Sequence, residues 1–67
     1  MEIFAKRLKD LRQDNNISQK ELAKQIGVSS TCIVRWEQGS RIPTLDTASR
    51  VAKFFNVSID FLAGLED

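Results

Sequence analysis

What this 67-residue chain can do chemically is bounded first by what it lacks. It has no histidine, one cysteine (Cys32) and only three glycines, none of them clustered. A histidine-based triad, a histidine general base and a histidine-ligated metal site are excluded. An intramolecular disulfide and a CxxC pair are excluded as well. Cys32 and the carboxylates have no partner at an evident spacing, and no glycine-rich loop is present to cradle a phosphate. The chain is therefore not expected to be an enzyme, and no metal or cofactor is implied. What remains is hydrogen bonding and charge pairing by the chain's hydroxyl, amide and charged side chains. An arginine can donate two parallel hydrogen bonds to guanine O6 and N7. A helix N-terminus can present free N–H groups and a positive dipole end to a phosphate.

The elements that must position these groups read as short helices divided by compact stop signals. Phe4, Leu8 and Leu11 recur at spacings of four and three, one face of a helix over about Glu2–Asp14. Asn15-Asn16 stops it, since asparagine tolerates the left-handed conformation. Ser18 followed by Glu21 is a capping box, with Ile17 as a hydrophobic staple. Leu22, Ala23 and Ile26 form the apolar face of this second helix, and Gly27 ends it. Ser29 caps a third helix carrying Ile33 and Trp36, stopped by Gly39. Thr44 caps a fourth, with Leu45, Ala48, Val51, Ala52 and Phe55 facing inward and Asn56 as its stop. Ser58 opens a short fifth, with Ile59, Leu62 and Leu65 facing in. No segment alternates over strand length. The expected fold is all-α, five helices in a single domain spanning residues 1–67.

The tightest pattern lies in residues 19–38. Leu22-Ala23, Gly27-Val28 and the pair Ile33 and Trp36 fall on two helices joined by about three residues. Ala23 is small where the second helix must approach the first, Gly27 stands where positive φ is needed, and Val28 plugs the turn. This is helix-turn-helix spacing. The spacing alone also fits an αα-corner that binds nothing.

Around this core the sequence resembles a known family. The matching stretches are Arg7-Leu8-Lys9-Asp10-Leu11-Arg12, Ile17-Ser18-Gln19-Lys20-Glu21-Leu22-Ala23, Ile26-Gly27-Val28-Ser29, Ile33-Val34-Arg35-Trp36-Glu37-Gln38-Gly39, Arg41-Ile42-Pro43-Thr44-Leu45 and Val57-Ser58-Ile59-Asp60-Phe61-Leu62. In order and spacing they resemble the lambda-repressor/Cro-like (Xre) helix-turn-helix domains of phage and bacterial regulators. The resemblance implies a five-helix domain that binds duplex DNA as a transcriptional regulator, most often a repressor, and usually as a dimer on a two-fold symmetric operator.

In that docking mode the third helix, residues 29–38, enters the major groove N-terminal end first. With Ile33 and Trp36 facing the core, its outward positions are Ser29, Ser30, Thr31, Val34, Arg35 and Gln38. The resemblance places Ser30, Thr31 and Arg35 at the main base-reading positions and Val34 beside them. Val34 or the Thr31 methyl group can touch a thymine methyl. Expected phosphate contacts are the start of the second helix at Ser18 and Gln19, Arg41 in the following loop, and Thr44. Caps at Ser18 and Thr44 are compatible with that role. The family also pairs an arginine of the first helix with a glutamate after the aromatic position of the third. Here these are Arg12 and Glu37, a pairing that would fix the recognition helix and aim Arg12 at a phosphate. Cys32 reads as a small, partly buried residue rather than a redox switch.

The overall charge is only +1, but it is unevenly distributed. Residues 1–41 hold eight Lys and Arg against five Asp and Glu, a balance of +3, while residues 42–67 hold two against four, a balance of −2. Phe54 and Phe61, expected to point outward near the acidic end, suggest an association surface and a homodimer. A single free thiol and the lack of a signal-like or membrane-spanning run fit a cytoplasmic protein with no membrane partner. No appended sensing domain points to a small-molecule effector. A different reading of the same fold is a protein-interaction module, such as an antitoxin-like partner protein.

Overall fold

Hydroxyl groups open four of the five helices. In the computed structural model, which describes residues 2–67, Ser18, Ser29, Thr44 and Ser58 each sit in extended backbone. Each accepts a hydrogen bond from the backbone N–H three residues on: Glu21 at 3.0 Å, Cys32 at 3.3 Å, Thr47 at 3.2 Å and Phe61 at 2.9 Å. These bonds satisfy donors that a helix leaves orphaned at its start. The helices are α1 (Glu2–Asp14), α2 (Gln19–Ile26), α3 (Ser30–Gln38), α4 (Leu45–Phe55) and α5 (Ile59–Ala63). No strand occurs among the described residues. The capping box at α2 is only half made, because the Glu21 carboxylate accepts from Gln25 Nε2 at 2.9 Å instead of returning to Ser18.

The stops follow the same local logic. Asn16 and Asn56 both take φ of 56°. Gly27 takes φ of 78°, and its N–H bonds to Ala23 O, which lets α3 begin three residues later. A side chain at Gly27 would be strained by that φ even though its nearest neighbour, Arg50 Nη1, lies at an ordinary 3.6 Å.

The five helices surround one core of Phe4, Leu8, Leu22, Ala23, Ile26, Ile33, Trp36, Val51, Ala52 and Leu62. Helix α3 packs on α1 and α2, while α4 and α5 close the other side. Phe4 meets Trp36 edge to face, with ring centroids 6.2 Å apart. Leu11, Ile17, Val28, Cys32 and Phe55 pack around the margin.

Three apolar positions depart from the expected inward faces. Leu45 and Leu65 are exposed, and Ile59 is 37% exposed. Leu45 is the first residue of α4 and projects past the core, which only the later turns Val51 and Ala52 reach. Leu65 lies beyond the end of α5. In α5, fewer than two turns long, Ile59 and Phe61 flank Leu62 on either side, and contacts from α1 decide between them. The Arg7 guanidinium lies 4.3 Å from the centre of the Phe61 ring. Its Nη1 also donates to the carbonyls of Phe61 and Glu66, so a cation closes the C-terminal end of α5. Phe61 is therefore half-buried beneath Arg7.

Leu22 is fully buried between α2 and its neighbours. Leu22→Ala is expected to lower unfolding free energy by about 2–4 kcal/mol, the usual cost of a large-to-small core change. Urea denaturation followed by circular dichroism measures it. A loss below about 0.5 kcal/mol would contradict the packing described.

Candidate nucleic-acid interface

The outward face of α3 is built from what the core leaves free. Ile33 and Trp36 are buried, so Ser30, Thr31, Arg35 and Gln38 are exposed, and Val34 lies half-buried between the two sets. The Arg35 side chain has no hydrogen-bond or ion-pair partner among the described residues. Neither do Arg41 in the following loop nor Lys20 and Lys24 on α2. The ion pairs found are Lys6–Asp10, Arg12–Glu37 and Arg50–Asp46. Cations left unpaired at a surface keep their full capacity for an external anion. Ser29 is committed locally: besides its capping bond it donates to Cys32 Sγ at 3.4 Å.

What aims this face is a polar node beneath the last turn of α3. Arg12 Nε donates to Glu37 Oε2 at 2.7 Å and Arg12 Nη2 to Glu37 Oε1 at 3.0 Å, a two-point pair. Arg12 Nη1 donates to Ile17 O at 2.9 Å, holding the α1–α2 loop. Gln19 Nε2, in the first turn of α2, adds a third bond to Glu37 Oε1 at 3.1 Å. The side chains of Arg12 and Glu37 are only 13% and 5% exposed, so this is not a solvated surface pair. The hydrogen bond to Glu37 raises the Arg12 guanidinium above its ordinary value; desolvation opposes this and the glutamate's charge adds to it. A raised basic group contributes stability that is complete below its unfolded value and lost only above the folded one. The Arg12 half of the pair therefore stays charged throughout the alkaline range in which proteins are handled.

The expected Arg12–Glu37 pairing is present, and the other residues expected from sequence stand around it. Arg12 and Gln19, expected as phosphate contacts, direct part of their donors to Glu37 and Ile17: three of the five guanidinium N–H groups of Arg12 and one of the two amide N–H groups of Gln19. Ser18 is exposed at the start of α2 and engaged as a cap. Thr44 caps α4 and exchanges a 3.0 Å bond with the Thr47 hydroxyl. Arg41 is exposed and unengaged. Phe54, at 40% exposure, stacks edge to face on Phe55 with centroids 5.0 Å apart. Among the contacts with no counterpart in the expectations, Arg50 of α4 donates from Nη1 to Ile26 O at 3.3 Å and pairs through Nη2 with Asp46 at 2.8 Å. It thus closes the C-terminal end of α2, just before the turn into α3.

Comparison with known proteins agrees with this geometry. The Helix-turn-helix family model matches residues 8–62, and the chain belongs to that family. An uncharacterized HTH-type transcriptional regulator of Methanocaldococcus jannaschii is 41% identical over 91% of this chain and 92% of its own length. The HTH-type transcriptional activator BcrR of Enterococcus faecalis is 39% identical over 96% of this chain. The cryptic phage CTXphi transcriptional repressor RstR of Vibrio cholerae is 35% identical over 85%. The chain spans 31% of the length of BcrR and 51% of that of RstR. Among solved structures, the P22 c2 repressor in complex with a synthetic operator superposes with a TM-score of 0.85 at 29% identity, covering 88% of this chain and 89% of that one. The five-helix, repressor-like fold is thereby established.

Removing one partner of a part-buried, hydrogen-bonded ion pair leaves the other without its partner. Arg12→Met is expected to cost about 1–3 kcal/mol, and Arg12→Met combined with Glu37→Met less than the sum of the two single changes. A double-mutant cycle by chemical denaturation reads the coupling. Strict additivity would show that the pair holds nothing.

Proposed function

We propose that this chain is a sequence-specific duplex-DNA-binding transcriptional regulator, most plainly a repressor, that presents α3 to the major groove. The observation that carries this reading is the recognition helix itself. Its inner face is locked by Ile33, Trp36 and the Arg12–Glu37–Gln19 node, while its outer face offers Ser30, Thr31 and an unpaired Arg35. The relatives are named as transcriptional regulators, and the superposed P22 c2 repressor is held in complex with operator DNA. Residues 1–67 act here as one domain, with the motif at 19–38.

In this reading Arg35 donates to a guanine, Ser30 and Thr31 hydrogen-bond neighbouring base edges, and Val34 or the Thr31 methyl meets a thymine methyl. Arg41, the Ser18 end of α2 and Thr44 contact phosphates. Gln19 and Arg12 act chiefly as positioning residues, with any remaining donors turned to the same backbone. The protein works as a homodimer on a two-fold operator whose half-sites lie about one helical turn, ~10 bp, apart. It acts in the cytoplasm and by binding rather than by catalysis. The basic balance of residues 1–41 is small, so non-specific affinity is modest and base contacts and dimerisation carry much of the discrimination.

Arg35→Ala should weaken binding to an operator found by in vitro selection by about 1–3 kcal/mol and relax preference at one guanine. Equal loss on every sequence would make Arg35 a phosphate contact. Arg41→Ala should weaken all sequences alike and flatten the dependence of log K on log salt by about one unit. Titrations at several salt concentrations measure both. No binding to random duplex fragments at low salt would overturn the reading and favour a protein-interaction module.

A further inference from the structure

We infer that the seam between the end of α2 and the second half of α4 is a docking surface for an acidic, apolar-bearing peptide segment of a different protein. Arg50 and Lys53 take its carboxylates and Phe54 its apolar side chain. These three residues recur at spacings of three and one and four overall, so they share one face of α4. With Gln25 and Ile26 of α2 they line an open groove of about 350 Å³. Among the described residues no carboxylate lines this groove, and none of those expected to touch DNA does. The inference goes beyond the regulator reading and stands without it.

Charge selects the kind of partner. Arg50 is held in place by its bonds to Ile26 O and Asp46, which use two of its five guanidinium N–H groups and leave the rest for another acceptor. Lys53 is exposed and has no ion-pair partner among the described residues. Arg50 also covers the carbonyl end of α2, whose partial negative charge would otherwise face the groove. Two cations against the single carboxylate of Asp46 leave the seam positive, although residues 42–67 are acidic as a whole. A partner with carboxylates is the complement of such a surface.

The partner must also carry an apolar side chain. Phe54 is 40% exposed, and its edge-to-face packing on Phe55 keeps the ring at the border of the groove. A ring already fixed in place costs little ordering when something docks on it. A phosphate backbone would pair with the two cations but leave this ring uncovered, so a peptide fits better than a nucleic acid. A second copy of this chain fits worse as well, because a two-fold contact here would set like charges against each other. Phe61, the other aromatic expected to point outward, is covered by Arg7 and takes no part.

Fluorescence anisotropy tests this with a labelled peptide of about three helical turns, in which Asp and Glu surround Leu and Phe side chains on one face. The probe should bind at low salt with a Kd of about 0.01–0.5 mM, as befits a small transient contact. Asn and Gln in place of its acids, or Lys53→Glu in the protein, should weaken binding about tenfold. Phe54→Ser should weaken it about fivefold or more. Both positions are exposed, so the helical circular dichroism should be unchanged. Arg35→Ala should bind the probe like the wild type, and duplex DNA should not displace it. No binding at about 1 mM overturns the inference. So does equal binding of the neutral peptide, or binding that survives both Lys53→Glu and Phe54→Ser. Loss of binding in Arg35→Ala, or displacement by duplex, overturns it too, by placing the peptide on the recognition helix as a mimic of DNA. Sedimentation in which Phe54→Ser converts a dimer to a monomer would give the seam to a second copy and overturn it likewise. If no duplex binds at all, the regulator reading falls, while the peptide titrations of the wild type and its variants still decide the seam.

Discussion

Glu37 is held from two directions, and the functional surface depends on it. Helix α3 is nine residues long and buries only Ile33 and Trp36. Two apolar anchors three positions apart hold a short helix against the core but leave little to oppose a small roll about its axis. The two-point pair with Arg12 and the bond from Gln19 supply that resistance at the C-terminal end. A two-point, charge-assisted pair between part-buried groups adds geometric specificity as well as energy. A few degrees of roll would carry Arg35 away from whatever it is meant to meet. The node is therefore less a source of net stability than of orientation.

The same atoms link the elements in sequence. Arg12 belongs to α1, its Nη1 reaches Ile17 in the loop that leads to the α2 cap, and Gln19 follows that cap directly. Arg50 from α4 closes the other end of α2. The helix-turn-helix unit is thus tied at both ends of its first helix by arginines from outside the motif. The left-handed Gly27 between α2 and α3 then fixes where the recognition helix begins. A domain with this little buried surface has few other means of making one orientation dominant.

Local chemistry made much of this legible in the sequence. The helix starts could be read because Ser18, Ser29, Thr44 and Ser58 carry short hydroxyls at the head of apolar periodicity. The stops could be read because Gly27, Gly39 and Asn56 tolerate positive φ. Faces were clear wherever a helix had two full turns of pattern, as in α1 and α2. They failed at Leu45 and Ile59, which open their helices, where periodicity cannot tell whether the core extends so far. The role of Arg7 carried no local signal, because its partners lie 54 and 59 positions away. The Arg12–Glu37 pairing spans 25 positions and came from family likeness, since no spacing rule connects separate helices. The third member, Gln19, carried no signal beyond its place next to a cap.

One residue under the recognition helix gives this architecture an optical readout. Trp36 is the only tryptophan, it is buried against Phe4, and it immediately precedes Glu37 in α3. Its indole emission therefore arises from one location, the joint between the recognition helix and α1. With the ring only 4% exposed, loosening of that joint is expected to admit water to it. The intrinsic fluorescence of this chain is in effect a gauge of how firmly the recognition helix is seated, legible without an added label.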